Sequence, residues 1–473
     1  MIPIIDFLND VLWGYVLVYG LLAVGVFFTL RLGFLQFRHF PEMIRSISGS
    51  REHDAGGITP FQALCTSLAS RVGTGNLAGV AVAIALGGPG AIFWMWMVAL
   101  VGMATAYAES TLAQLYKVRG HSDHGLYRGG PAFYIAKGLK MPWLAVAFSL
   151  CLILAFGLVF NAVQANSIAE AIEGAFGVPK IAVGVGIAIL AGIVIFGGIR
   201  KIARVAELVI PIMAGLYLLM ALVILAMNLS EVPAAVALIF KSAFGIEQAF
   251  GGVLGAMLNG IKRGLFSNEA GMGSAPNIAA VAVPQPHHPS SQGFVQALGV
   301  FIDTLLICTA TAVVILLSGV YTPESELTGI VLTQAAVESQ IGTFGRYFIA
   351  IAIFFFAFTS IIGNYSYAEN ALAYLGLDGR TGVTVLRCGV LAMVLWGAWE
   401  AVATVFNAAD AAMGLMATIN LIAIVLLSKL VVKLTRDYFA QKAAGQEPRF
   451  NADDYPELAD QIDTTIWRGR GKG

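Results

Sequence analysis

The chain has 473 residues, of which 58% are hydrophobic and 12% charged, with 28 basic and 28 acidic side chains. A soluble chain of this length would split into two or three domains and wet far more charge, so lipid must cover much of this surface. A formal net charge of zero gives no hint of nucleic-acid or acidic partners, and the widely spaced Cys65, Cys151, Cys308 and Cys388 fit neither a zinc site nor a disulfide framework.

A bilayer core of roughly 30 Å needs about 20 apolar residues per helix. On that ruler the predicted spans cover 14–30, 59–86, 91–116, 142–169, 181–198, 205–228, 247–264, 293–319, 345–375, 383–399 and 402–428. The first run is preceded by Asp6 and Asp10 and by no basic residue, so it reads as an anchor with its N-terminus outside rather than as a cleavable signal. Loops after odd-numbered spans are then cytoplasmic, where Lys and Arg should collect. Twenty-four of the 28 fall in those segments, Lys262, Arg263 and eight residues of the tail among them; Lys180, Lys241 and Arg346 fall outside, and Arg71 lies within a span. The alternation places the chain in a bacterial-type inner membrane with a periplasmic N-terminus and a cytoplasmic C-terminus.

The second span is too long for one straight helix, since 29 residues would measure about 43 Å. Its centre reads Ser70-Arg71-Val72-Gly73-Thr74-Gly75-Asn76. Two glycines around a β-branched residue favour local unwinding, which lipid tolerates only where the backbone is buried in protein or lines a cavity. The alternative reading is that these glycines merely let helices pack closely.

The seventh span repeats the feature with Phe250-Gly251-Gly252 and Gly255. Interruptions thus open two successive five-helix groups, and an odd repeat length inverts the second group relative to the first. Inverted repeats bind substrate and coupling ion where their discontinuous helices meet. The expected organisation is one membrane domain over 1–436, with an extra helix at 14–30, repeat one at 59–228, repeat two at 247–428, and a solvated cytoplasmic tail at 437–473. A short stretch at 233–246 is expected to lie at the outer interface.

A free amino acid needs positive potential for its carboxylate and acceptors for its ammonium. Amides at Gly75 and Asn76, helped by the helix dipole, face the carboxylate, and freed carbonyls near Ala69 and Val72 suit a small cation, with Thr359 and Ser360 hydroxyls completing the shell. Such hydroxyls also commonly bond back to the preceding turn. Phe160 and Gln164 share a helix face, an apolar wall beside an amide, in a run that also holds Asn161 and Asn166; stitching between helices is the competing role. Five ionisable residues lie inside spans: Arg71, Glu109, Asp303, Glu369 and Asp410. Each costs about 2.5 to 3.5 kcal/mol at the bilayer centre and must face protein or water. Arg71 either pairs with Asp303 or guides a carboxylate, and the pair is favoured.

The runs 73–80, GTGNLAGV, 87–96, GGPGAIFWMW, 263–271, RGLFSNEAG, and 358–365, FTSIIGNY, resemble the alanine or glycine:cation symporter family, the sodium:alanine symporters, over nearly the whole length. The resemblance implies an all-α membrane fold of the leucine-transporter type, with inverted five-helix repeats preceded by one helix. It also implies sodium-driven uptake of alanine or glycine, with substrate contacts at Thr74, Gly75, Asn76, Phe160, Gln164, Ser360 and Asn364. Some members carry tryptophan where Asn364 stands, and proton coupling is the alternative to sodium. No cofactor beyond the coupling ion is expected.

An enzyme is disfavoured, because all six histidines lie in loops and no HExxH or GxSxG run occurs; no GxxxxGK[ST] run marks an ATP-driven pump. Glycine-rich breaks also build channel filters, but these usually arise by subunit symmetry, whereas an internal inverted repeat in one chain points to alternating access.

Overall fold

The structure, a computed structural model, describes residues 2–48, 57–120, 125–245 and 252–468. Among them the only strands form a two-stranded ribbon, Val118–Arg119 with Tyr127–Arg128. Eight helices are long and apolar enough to cross a bilayer: Pro3–Arg31, Gly90–Leu115, Pro142–Phe176, Gly198–Met227, Pro289–Leu317, Thr343–Tyr374, Arg380–Trp399 and Val402–Leu426. A bent pair, Pro60–Arg71 and Gly75–Gly87, turning by 50°, makes a ninth span. Two shorter helices, Lys180–Ile195 and Gly252–Asn268, stand where the fifth and seventh runs are predicted. Apolar side chains such as Ile189, Ile193, Leu219 and Leu222 are exposed on the outer helices, as a lipid-facing surface requires.

Local chemistry sets the helix starts. Thr59 caps the second span with a reciprocal Thr59–Gln62 box, and prolines at 60, 131, 142 and 289 sit in first turns, where a missing N–H costs nothing. Spans in equivalent places of the two groups pack on each other: second on seventh, third on eighth, fourth on ninth. Each group also inserts a short helix between its second and third spans, Pro131–Gly138 and Gly329–Ile341, which the hydropathy pattern missed because neither is long or apolar enough. The latter is seated on the C-terminal half of the bent second span, where Thr333 Oγ1 donates to Leu77 O at 2.8 Å.

The structure corrects three expectations. The seventh span does not break near Gly252 and Gly255, since Gly252–Asn268 is one continuous helix; Phe250 and Gly251 lie outside the described residues. Its interruption comes later, at 269–275, where Glu269, Gly271 and Gly273 all have positive φ (57°, 90° and 82°). Secondly, Lys262 and Arg263, counted above with a cytoplasmic segment, stand inside that helix and pair with buried Asp410.

Thirdly, the segment after 436 is not a solvated tail. Helix Ser428–Ala443 is tied down by Glu42, which accepts from Tyr438 Oη at 2.6 Å and pairs with Lys442. The chain then folds back: Phe450 N donates to His287 O at 3.0 Å, and fully buried Trp467 donates from Nε1 to Leu115 O at 3.1 Å, with Lys117 Nζ 5.0 Å from its ring. Phe450, Tyr455, Leu458, Ile462 and Ile466 are buried beside it while Asp453, Asp454, Glu457 and Asp460 face solvent. This apolar spacing outweighs the charge that made the segment look solvated.

Candidate functional site

The bend in the second span begins where two amides leave the helical ladder. Gly73 N donates to Asn76 Oδ1 at 2.9 Å, and Thr74 N donates to Gln164 Oε1 at 2.9 Å. The carbonyls four residues back, Ala69 and Ser70, thereby lose their helical donors, and Ala69 O takes the Ser360 hydroxyl at 2.7 Å instead. The two glycines serve close approach as well as bending. A Cβ on Gly73 would collide with Ser360 and Gln164, and one on Gly75 would press on Phe266 and Ser267.

Five spans meet here, the second, fourth, seventh, ninth and eleventh. The fourth span widens into a π-helical turn at Ile153–Val159 just before Phe160, a distortion common at functional sites. Phe160 stacks on Phe156 (4.6 Å) and on Phe266 of the seventh span (4.7 Å), which in turn leans on Phe406 of the eleventh (5.4 Å). Gln164, Asn76, Ser360 and Asn364 are almost wholly buried around the bend. Asn364 Nδ2 donates to Asn161 Oδ1 at 3.1 Å, and its Oδ1 lies 2.6 Å from the Ser70 hydroxyl. Thr359 donates back to Phe356 O at 2.9 Å, whereas Ser360 lies near both Phe356 O and Ala69 O. Asn166 stands apart and stitches the fourth span to Gly397 and Glu400 carbonyls.

Two expectations change in detail. Asn76 N donates to Gly73 O at 3.2 Å and its side chain is fully engaged, with Nδ2 donating to Asp303 Oδ1 at 2.7 Å, so Asn76 clamps the bend to the eighth span. The amide met by an oxygen from the facing span is that of Thr74. Nor does Arg71 pair with Asp303. Its Nη1 donates to Gln296 O at 3.2 Å, while Asp303 receives donors from Asn76, Ser267 and Thr304. Charge matching along a sequence cannot see that neutral donors already surround the carboxylate.

The break in the seventh span lies opposite. Ala270 N donates to the Asn268 side chain, Gly271 N to Glu109 Oε1 at 3.2 Å, and Met272 N to Glu269 O. Glu269 itself receives the Ser274 hydroxyl at 2.6 Å and lies 2.9 Å from Ser70 Oγ. Sequence reasoning missed Glu269 and Ser267. The available signal was Asn268 followed by Gly271 and Gly273, residues that accept left-handed backbone.

The span ends around Ile58, Gln114 and Ala282 are tied together by hydrogen bonds. Ile58 pairs with 281–283 in a short parallel bridge, Gln114 Nε2 donates to Ala279 O and Ala282 O, and Lys117 Nζ donates to Ala282 O at 3.0 Å. Glu369 receives Arg128 at 3.3 Å, both buried, and Asn370 Nδ2 donates to Gly129 O and Asn277 Oδ1. These contacts join the ribbon loop, the seventh span and the ninth.

Residues 1–452 match the sequence pattern of the sodium:alanine symporter family. The amino-acid carrier protein AlsT of Bacillus subtilis is 49% identical, with 96% of each chain covered. The probable sodium/glutamine symporter GlnT of the same organism is 48% identical over 95% of this chain and 93% of its own. The sodium/alanine symporter AgcS of Methanococcus maripaludis is 40% identical over 92% of this chain and 97% of its own.

Proposed function

We propose, for a chain that belongs to the sodium:alanine symporter family, that it carries alanine or glycine into the cell with sodium by alternating access. The observation that supports this most is the pair of contacts at the first break. A carbonyl freed by the bend, Ala69 O, meets the Ser360 hydroxyl, and one residue beyond Gly73 a buried helix-start amide, Thr74 N, meets Gln164 Oε1. Gln164 Oε1 is an sp2 oxygen standing where a cargo carboxylate oxygen would be received. Sodium is held in this reading by the carbonyls of Ala69 and Val72 with the hydroxyls of Thr359 and Ser360. The amino acid lies against Thr74, Gly75, Asn76, Phe160, Gln164, Ser360 and Asn364.

In this reading the cargo is small, because Gly73 lies against Ser360 and Gln164 and Phe160 is stacked on Phe266. The Arg128–Glu369 pair and the contacts around Ala282 act as the cytoplasmic gate, in an inner membrane with the N-terminus outside. Purified protein in liposomes should accumulate labelled alanine against its gradient when sodium is high outside, and should exchange labelled for unlabelled alanine. Linear, non-saturating flux would indicate a pore, and accumulation indifferent to sodium would remove the ion from the mechanism.

A further inference from the structure

The hydrogen bonds around Ser70 do not close if every carboxyl nearby is ionised. Ser70 Oγ lies 2.9 Å from Glu269 Oε1 and 2.6 Å from Asn364 Oδ1, yet a hydroxyl has one proton to donate. The amide orientations are fixed from the far end. Asn161 Nδ2 donates to the carbonyls of Phe156 and Gly157, so Asn161 presents Oδ1 to Asn364, which must answer with Nδ2 and therefore turns its own Oδ1 to Ser70. The Ser70 proton is thus committed to Asn364, and the oxygen left facing Glu269 is an acceptor. Two acceptors at 2.9 Å in a buried site are strongly unfavourable unless a proton lies between them.

We propose that Glu269 is a proton-binding site, holding a proton on Oε1 and donating it to Ser70 while Oε2 accepts from Ser274. Charge balance points the same way. Arg71 is the basic group facing Glu269, from the second span; Glu109 of the third, Asp303 of the eighth and the Tyr367 phenol of the ninth also face this region. All five residues are at most 1% exposed, and among the described residues none of the three carboxylates has an ion-pair partner within 4 Å. Three ionised carboxylates against one guanidinium would leave buried charge uncompensated. Asp303 receives three side-chain donors, and Glu109 receives the Gly271 amide and Asn420 Nδ2. Glu269 has one uncontested donor, Ser274, and is the carboxyl best placed to hold the proton.

The position gives the proton a use. Ser70 adjoins Ala69, and Asn364 lies one helical turn from Ser360, so losing the proton from Glu269 would draw the Ser70 hydroxyl away from Asn364 beside the proposed sodium and cargo positions. The inference rests on the symport reading for its role in coupling. In proteoliposomes with a trapped pH dye, alanine entry through the wild type should carry protons inward, and uptake should depend on pH. Glu269→Gln supplies a fixed donor to Ser70, so proton entry should be lost and the pH profile should flatten, with a smaller loss of sodium-dependent alanine binding. Infrared difference spectra of the wild type should show a carboxylic-acid C=O band that shifts in D2O and is missing from the variant. An E269Q protein that still moves protons with alanine, or a wild type lacking that band, would overturn the assignment. Sodium-driven accumulation at equal pH in the same vesicles reports separately on symport.

Discussion

Between Arg71 and Gly75 the second span bends by 50° with no left-handed residue, and its released amides are taken by the side chains of Asn76 and Gln164. Between Glu269 and Ala275 the seventh span instead turns through three left-handed residues, and a carboxylate from the third span takes one of its amides. Glycine therefore does different work in the two places. At 73 and 75 it makes room for neighbouring side chains; at 271 and 273 it supplies backbone angles that other residues adopt only at a cost. The first break is held directly by the neutral side chains of Asn76 and Gln164, with Asp303 behind Asn76, which suits the proposed site for a zwitterion. The second is held by acids, which suits a site that governs charge.

The sharpest way to break this comparison is Gly271→Val. A β-branched residue at φ 90° adds backbone strain to a clash with Leu421 and Thr105, together about 3 kcal/mol or more. Thermal unfolding in detergent should shift far downward, and an unchanged midpoint would mean the second break is not rigid. Asn76→Ala is expected next, at about 2 kcal/mol, because it strips a donor from Asp303 and an acceptor from Gly73 N. The same thermal measurement checks it, and rescue by Asn76→Asp should fail, since a second carboxylate cannot donate to the first. Gly73→Ala should be mildest for stability, about 1 kcal/mol, yet should weaken alanine binding by about tenfold or more, because the methyl displaces Ser360 and Gln164. Equal losses of stability and affinity in Gly73→Ala and Gly271→Val would erase the distinction between the two glycine pairs.

Much of the fold could be read from the chain because hydropathy is a statement about lipid. Among the described residues each predicted apolar run coincides with a helix or, for 59–86, with a bent pair, and the bend at Gly73 and Gly75 falls where span length and glycine content conflict. The second break was misplaced because Gly251-Gly252 offers the same surface cue as Gly73-Thr74-Gly75, whereas the real cue at 268–273 sits in a polar run that reads as loop. The short helices at 131–138 and 329–341 escaped for the same reason. At the site, residue types were legible but partners were not. Nothing in the sequence says that Asn76 spends its side chain on Gly73 and Asp303, that Arg71 turns to Gln296, or that Asp410 waits for Arg263. Those outcomes depend on which faces of five spans meet.

The seat of Trp467 adds a matter of timing. It docks on Leu115 across 352 residues of sequence, so at about 5–20 residues per second the ribbon loop waits roughly 20 to 70 s for its cover during synthesis. For that interval Lys117 and the end of the third span lack their aromatic neighbour from the tail. Maturation of this end of the bundle therefore waits until residue 467 has been made, and a nascent chain halted after Leu426 would be complete in lipid but unfinished in water.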